Sequence, residues 1–153
     1  MKKTLLLSLV LASVAITGCA TGPSLVAPDS SSAWITPQQA ILLAANSAPR
    51  GAPGIFAMTV QATGTQDGQV FLNSELDYRD QRNLTIALTP AAARQLRERL
   101  GEDPLTSLKN RSILVTGAAR RAQIYFFSNG KRSDKYYYQT HVDVSSADQL
   151  VLR

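Results

Sequence analysis

Two hydrophobic periods, one of 3.6 residues and one of two, divide the chain from Trp34 onward. Thr36-Pro37-Gln38-Gln39 places Thr at an N-cap, Pro at the first helical position and Gln at the third, the pattern of a capping box. A helix is therefore predicted through AILLAANS, ending before Pro49, with Ile35 stapled onto Leu42 or its neighbours. From Ile55 the period becomes two. Phe56, Met58, Val60 and Ala62 alternate with Ala57, Thr59, Gln61 and Thr63, as in a half-buried strand. Asp67-Gly68 suits a tight hairpin turn, and Gln69–Asn73 returns as a second strand. After the polar run SELDYRDQRN (74–83), Leu84, Ile86 and Leu88 alternate again.

Thr89-Pro90 opens a second helix, AAARQLRERL, which Gly101 stops. Strands are then expected at 112–116, 122–127, 136–142 and 149–152, with Asn129-Gly130 turning the second of these into the third. Taken by its apolar parity, the core of this sheet should hold Val70, Leu84, Ile86, Ile113, Val115, Ile124 and Phe126.

The N-terminus follows a different pattern. Lys2 and Lys3 precede the uncharged run TLLLSLVLASVAI (4–16), which is too short for a comfortable membrane span of ~20 apolar residues. Ile16-Thr17-Gly18-Cys19 follows, and small residues before a cysteine resemble the lipobox of bacterial lipoproteins. That resemblance implies a signal peptide over 1–18, cleavage that leaves Cys19 first, and acylation of its thiol. Ala20 stands where the inner-membrane retention signal of such lipoproteins has Asp, so the resemblance implies the outer membrane, periplasmic face. Residues 19–33, small and polar with two prolines, read as a flexible tether, and 34–153 as one globular domain.

The predicted order places a helix between the third and fourth strands of a small curled sheet. LKNRSILVTGAARRAQIYFF (108–127) and the closing ADQLVL (147–152) resemble the last two strands of small OB-like bacterial proteins. The resemblance implies an α+β, mainly β fold: an OB-like five-stranded barrel with an N-terminal helix. A different small α+β roll is the alternative. Where the usual turn has Lys-Gly, this chain has Lys109-Asn110, and Asn tolerates left-handed geometry.

Composition narrows the chemistry. At 44% hydrophobic and 18% charged residues, the chain as a whole is too apolar to be disordered. One Cys and one His exclude a disulfide framework and a Cys/His zinc cage built from this chain alone. No P-loop, dinucleotide fingerprint, zinc helix or Gly-x-Ser-x-Gly elbow occurs, so no cofactor is expected. The formal charge is +5; without Lys2 and Lys3, 14 basic residues face 11 acidic ones, leaving a mild +3.

Two polar stretches remain as candidates. Glu75, Asp77 and Asp80 are oxygen donors of the kind a hard cation takes, but Arg79 and Arg82 compete for them, and Asp–Arg pairing within a structural loop is the plainer reading. Arg120-Arg121 with Lys131, Arg132, Lys135 and Tyr136–Tyr138 combines cations with rings, as single-stranded nucleic acid binding does. A soluble strand pair with one face in the core is the plainer reading there too. His141 is the one group with an ordinary pKa near 7.

The expectation is a non-catalytic, lipid-anchored envelope lipoprotein whose partners are the membrane, through Cys19, and an envelope protein. The alternatives are a binder of an anionic polymer, single-stranded nucleic acid or glycan, and a metal-assisted phosphoesterase at the SELDYRDQR loop. A ligand site, where present, should comprise Tyr78, Arg79 and Arg82 of that loop with Arg120, Lys131 and Tyr137 of the basic hairpin.

Overall fold

The computed structural model describes residues 34–153, so the signal segment, Cys19 and the tether lie outside the described residues. Helix α1 spans Pro37–Ser47 with both halves of the capping box formed: Gln39 N–H donates to Thr36 Oγ1 and Thr36 N–H to Gln39 Oε1. It buries Ala40 and Ala44, small residues that let it lie close on the sheet, and leaves Leu42 in solvent. Ile35 does not staple onto that exposed Leu42. It bridges to Phe56 instead, exchanging backbone hydrogen bonds with Ile55 and Ala57.

Strands β1 (Ala52–Thr59), β2 (Ala62–Gln66), β3 (Gln69–Asn73) and β4 (Leu84–Leu88) follow, then α2 (Pro90–Leu100) and the one-turn α3 (Pro104–Ser107). Two long strands, β5 (Ser112–Ser128) and β6 (Lys131–Val144), and a short β7 (Leu150–Leu152) complete the chain. The protein is mainly β, with its strands in a single sheet ordered β1-β5-β6-β4-β3-β2, and β7 added on β5. All pairings are antiparallel except β4 with β6. Both hairpin turns form as their dipeptides predict. Asp67-Gly68 and Asn129-Gly130 all take positive φ, the geometry that matches strand twist in a two-residue loop. Asn110 likewise sits at φ 62° in the turn where Gly is usual.

The closed five-stranded barrel is not what is found. The sheet has seven strands, and its two end strands, β1 and β2, are not paired with each other. They are, however, separated only by Val60 and Gln61. Those two residues continue the ladder on both sides: Val60 N–H donates to Arg111 O, Asn110 N–H to Val60 O, and Gln61 N–H to Asn73 O. The core is continuous, from Phe56 and Met58 through Leu72, Ile86 and Leu88 to Ile113, Val115, Val142 and Leu150. Helix α2 covers it with Ala92, Ala93 and Leu96, and Arg99 ties the helix to the chain end by donating to Ala147 O and Leu150 O.

Of the seven expected core residues, Val70, Leu84, Ile86, Ile113 and Val115 are buried. Ile124 is only half-buried and Phe126 is exposed. The reason is register. The sequence reads as two strands, 112–116 and 122–127, but Thr116–Arg121 continues the same strand, with pairing unbroken from Ile113 through Tyr125. Side chains of one strand alternate faces, so even-numbered Ile124 and Phe126 cannot share the face of Ile113 and Val115.

The same continuity creates the main feature of the surface. Strand β1 accompanies β5 only as far as Ala119, and β4 accompanies β6 only from Thr140. Beyond those points, among the described residues, the two strands pair only with each other, and they leave the body as a two-stranded arm.

Candidate binding groove

The 74–83 loop is held from inside. Asn83 is buried, and its side-chain oxygen accepts from Ser74 Oγ at 3.4 Å and from Glu75 N–H at 3.1 Å. Its amide nitrogen donates to Asn73 Oδ1 at 3.1 Å and Thr85 Oγ1 at 2.9 Å, and toward Tyr78 O at 3.4 Å. Ser74 Oγ in turn accepts from Leu84 N–H at 2.8 Å. A loop with so many local acceptors satisfied needs little apolar burial to hold its shape.

The loop's charges are mostly internal. Asp77 accepts from Arg79 N–H at 2.9 Å. Asp80 accepts from Arg82 N–H at 2.8 Å, Nε at 3.1 Å and Nη2 at 2.7 Å. The Arg82 hydrogen bonds hold the Asp80 carboxyl down to about 2. Among the described residues no three His, Cys, Asp or Glu side chains converge as metal ligands, so Glu75, Asp77 and Asp80 do not assemble a cation site.

The loop leans on β6. Gln139 Nε2 donates to Tyr78 O at 3.2 Å and to Tyr137 Oη at 2.9 Å, while its Oε1 lies 2.7 Å from His141 Nε2. Burial pushes the His141 imidazole below its ordinary value, although Asp143 opposes the shift. A neutral folded histidine makes stability fall as pH drops from 6.5 through that lowered pKa. Burial likewise raises the Tyr137 phenol, with Tyr78 adding to the shift.

Between α1, this loop and the root of the arm lies a cavity of about 570 Å³, lined by Ile41 and Ala45 of α1, Arg79 of the loop, and Arg121, Tyr137 and Tyr138 of the arm. Its size falls within the range of small-ligand sites, ~300–1,000 Å³. Arg121 lies over Tyr138, its Cζ 3.7 Å from the ring centroid. Further out, Arg132 covers Tyr125 at 4.3 Å. Tyr125, Tyr136 and Tyr138 form an edge-to-face ladder, with centroids 5.9 and 5.5 Å apart. On the opposite face of the arm Phe126 meets Tyr137 at 5.3 Å. Among the described residues neither Arg79 nor Arg121 is within ion-pair distance of a carboxylate, so their guanidiniums, one from the loop and one from the arm, border the cavity without a salt bridge, although the Asp80 carboxylate lines it too.

The expected site residues therefore divide. Tyr78, Arg79 and Tyr137 come together around Gln139. Arg82 stays bound to Asp80 and off the cavity wall. Arg120 lies opposite His141, on the face that Gln139 and Tyr137 share, but off the cavity wall, its side chain beside Gly51, where an added Cβ would approach Arg120 Cγ to 2.9 Å. Lys131 is at the arm's tip, opposite Ser128. Arg121 and Tyr138 take the places expected of Arg120 and Lys131. Alternation puts Arg120 and Arg121 on opposite faces, and only Arg121 borders the cavity, a placement that needed the register of an unbroken β5. Ile41 and Ala45 left no signal beyond their position on an amphipathic helix.

No protein-family model matches the chain, and no curated protein does. Among solved structures, the chain is similar to an aspartyl tRNA synthetase from Entamoeba histolytica. That likeness has 14% identity over 71% of this chain and 20% of the other, with a TM-score of 0.41. It is similar also to a putative aspartyl-tRNA synthetase from Leishmania major Friedlin, at 9% identity over 83% of this chain and 22% of the other, with a TM-score of 0.46. The chain spans about a fifth of the length of either structure.

Proposed function

We propose that the protein is a non-catalytic, lipid-anchored binding lipoprotein of the bacterial cell envelope. In this reading it is held at the periplasmic face of the outer membrane through Cys19, and its OB-like domain grips an anionic polymer in the groove at the root of the arm. The OB-like reading treats β1 and β2 as one strand bent at Val60-Gln61. The sheet order then returns to its own beginning, with α2 between the third and fourth of five strands. The observation that carries the binding reading is the pair Arg79 and Arg121, in no salt bridge among the described residues and set among tyrosine rings in one cavity, where the Asp80 carboxylate is held by Arg82. Guanidiniums beside rings suit a chain of anionic groups interleaved with flat ones, as in single-stranded nucleic acid and anionic glycans. The binding reading is preferred to the phosphoesterase alternative because Asp80 is held by Arg82 in the loop that alternative would use.

Titrating the full chain in detergent with single-stranded oligonucleotides and with anionic glycans, at two salt concentrations, tests the groove. Saturable binding to one of them is expected. For an oligonucleotide, log K should fall with log salt by ~0.7 per phosphate neutralised. Arg79→Ala combined with Arg121→Ala should abolish binding, whereas Arg120→Ala should leave most of it. If neither polymer binds at low salt, the groove is structural and the protein works through a protein partner.

The anchor has its own test. Acylation by several chains gives stable membrane attachment, where one alone is marginal. Cys19→Ala should leave an unprocessed species that still carries residues 1–18. A mature-sized mutant that still partitions with membranes would refute lipidation at Cys19.

A further inference from the structure

We infer that the tip of the arm is a membrane-contact element that enters the headgroup layer of an anionic lipid surface. Phe126 and Tyr136 also line the groove, whereas Phe127, Lys131 and Arg132 do not, and the inference rests on these three. It starts from the rings that the arm leaves in water. Phe127 is 69% exposed, Tyr136 48% and Phe126 47%, and they lie on both faces of the ribbon. Phe126 contacts Tyr137 on one face, while Tyr136 contacts Tyr125 and Tyr138 on the other. Arg132, opposite Phe127, covers the Tyr125 ring and so places Phe127 on this second face.

A two-sided distribution selects among occupants. A docked protein surface covers one face of a two-stranded ribbon and leaves the other wet, and a polymer held in the groove leaves Phe127 uncovered, because Phe127 is not on the groove's wall. A second copy of the arm is opposed by charge, because residues 120–139 carry Arg120, Arg121, Lys131, Arg132 and Lys135 against Asp134 alone. An anionic lipid interface surrounds the ribbon, takes rings at headgroup level and attracts juxtaposed lysines and arginines.

Backbone chemistry sets the depth. Among the described residues, no strand lies beside the outer edges of the arm from Arg120 to Gln139. Their N–H and C=O groups require water or headgroup partners, which excludes the hydrocarbon core. Phe127 and Arg132 are each two residues from the Asn129-Gly130 turn, about 7 Å along a strand. That length matches the headgroup layer on one side of a bilayer, roughly 5–8 Å. The tether is compatible with this placement. From Val115, beside the start of α1, to the tip is at most about 43 Å along β5. The fifteen steps from Cys19 to Trp34 reach up to about 50 Å.

The test reads the tip itself, since the N-terminal segment can bring the chain to vesicles unaided. In the full chain, Trp34→Phe with Phe127→Trp places the one indole at the tip. Vesicles of phosphatidylglycerol and phosphatidylcholine, doped with brominated lipid, should quench it and shield it from iodide. Vesicles of phosphatidylcholine alone should do so far less. Adding Lys131→Gln and Arg132→Gln should lower the insertion equilibrium roughly 30-fold. An indole that remains open to iodide and unquenched with anionic vesicles overturns the inference. So does an indole shielded by a single-stranded oligonucleotide but not by vesicles, which would assign the tip to the polymer groove. Groove binding through Arg79 and Arg121 is read separately, so either proposal can fail while the other stands.

Discussion

Ile113→Ala should lower the unfolding free energy by ~2–5 kcal/mol, while Ile124→Ala should cost about 1 kcal/mol or less. The two isoleucines lie on the same strand, eleven residues apart. Ile113 is fully buried, paired across β1 with Met58 and across β7 with Leu152, and truncating it leaves a cavity the neighbouring strands cannot close. Ile124 sits on the arm opposite Tyr137, half in solvent, where the lost methylenes are partly replaced by water. Denaturant unfolding of both variants, at constant m-value, is the measurement. Equal losses would mean that the arm is packed as core and that β5 is broken between the two positions.

Asn83→Ala is the second large effect. It removes an acceptor from Ser74 and Glu75 and a donor from Asn73 and Thr85, inside a site with little access to water. Unpaired buried polar groups cost ~1–3 kcal/mol each, so a loss of roughly 3 kcal/mol is expected. The loop that Asn83 organises carries Arg79 and Arg82, both exposed, and a loosened loop presents them to trypsin. Faster cleavage after Arg79 or Arg82, a lower unfolding midpoint and weaker groove binding should appear together. Intact resistance to trypsin with an unchanged midpoint would show that the loop holds itself without the Asn83 network.

Much of the fold could be read from local signals. Thr36-Pro37 with Gln39, Thr89-Pro90 with Gly101, Asp67-Gly68 and Asn129-Gly130 each fix a boundary through capping or positive φ, and each forms where expected. What escaped is long-range. Ala118-Ala119-Arg120-Arg121 looks like a break because small and charged residues interrupt the apolar run. In the sheet, Ala119 is a buried position opposite Val142, and the arginines begin the arm. No local pattern distinguishes a turn from a strand leaving its neighbours. The groove was half legible for the same reason. The 74–83 loop stood out by composition and does meet β6 at Tyr137 and Gln139. Which of two adjacent arginines faces it depended on a register that only pairing sets.

The unbroken run of β5 and β6 from body to arm also has a mechanical consequence. A load at the tip directed along the strands pulls β5 and β6 together, because the Asn129-Gly130 turn joins them, and acts in shear across their hydrogen bonds to β1 and β4 in the body. The same load applied sideways bends the two-stranded ribbon, which has its register irregularity between Tyr125 and Phe127. The arm is therefore stiff along its length and compliant across it. An axial pull on the tip is thus carried into the core through Ala119 and Val142, while a sideways push is absorbed in the arm.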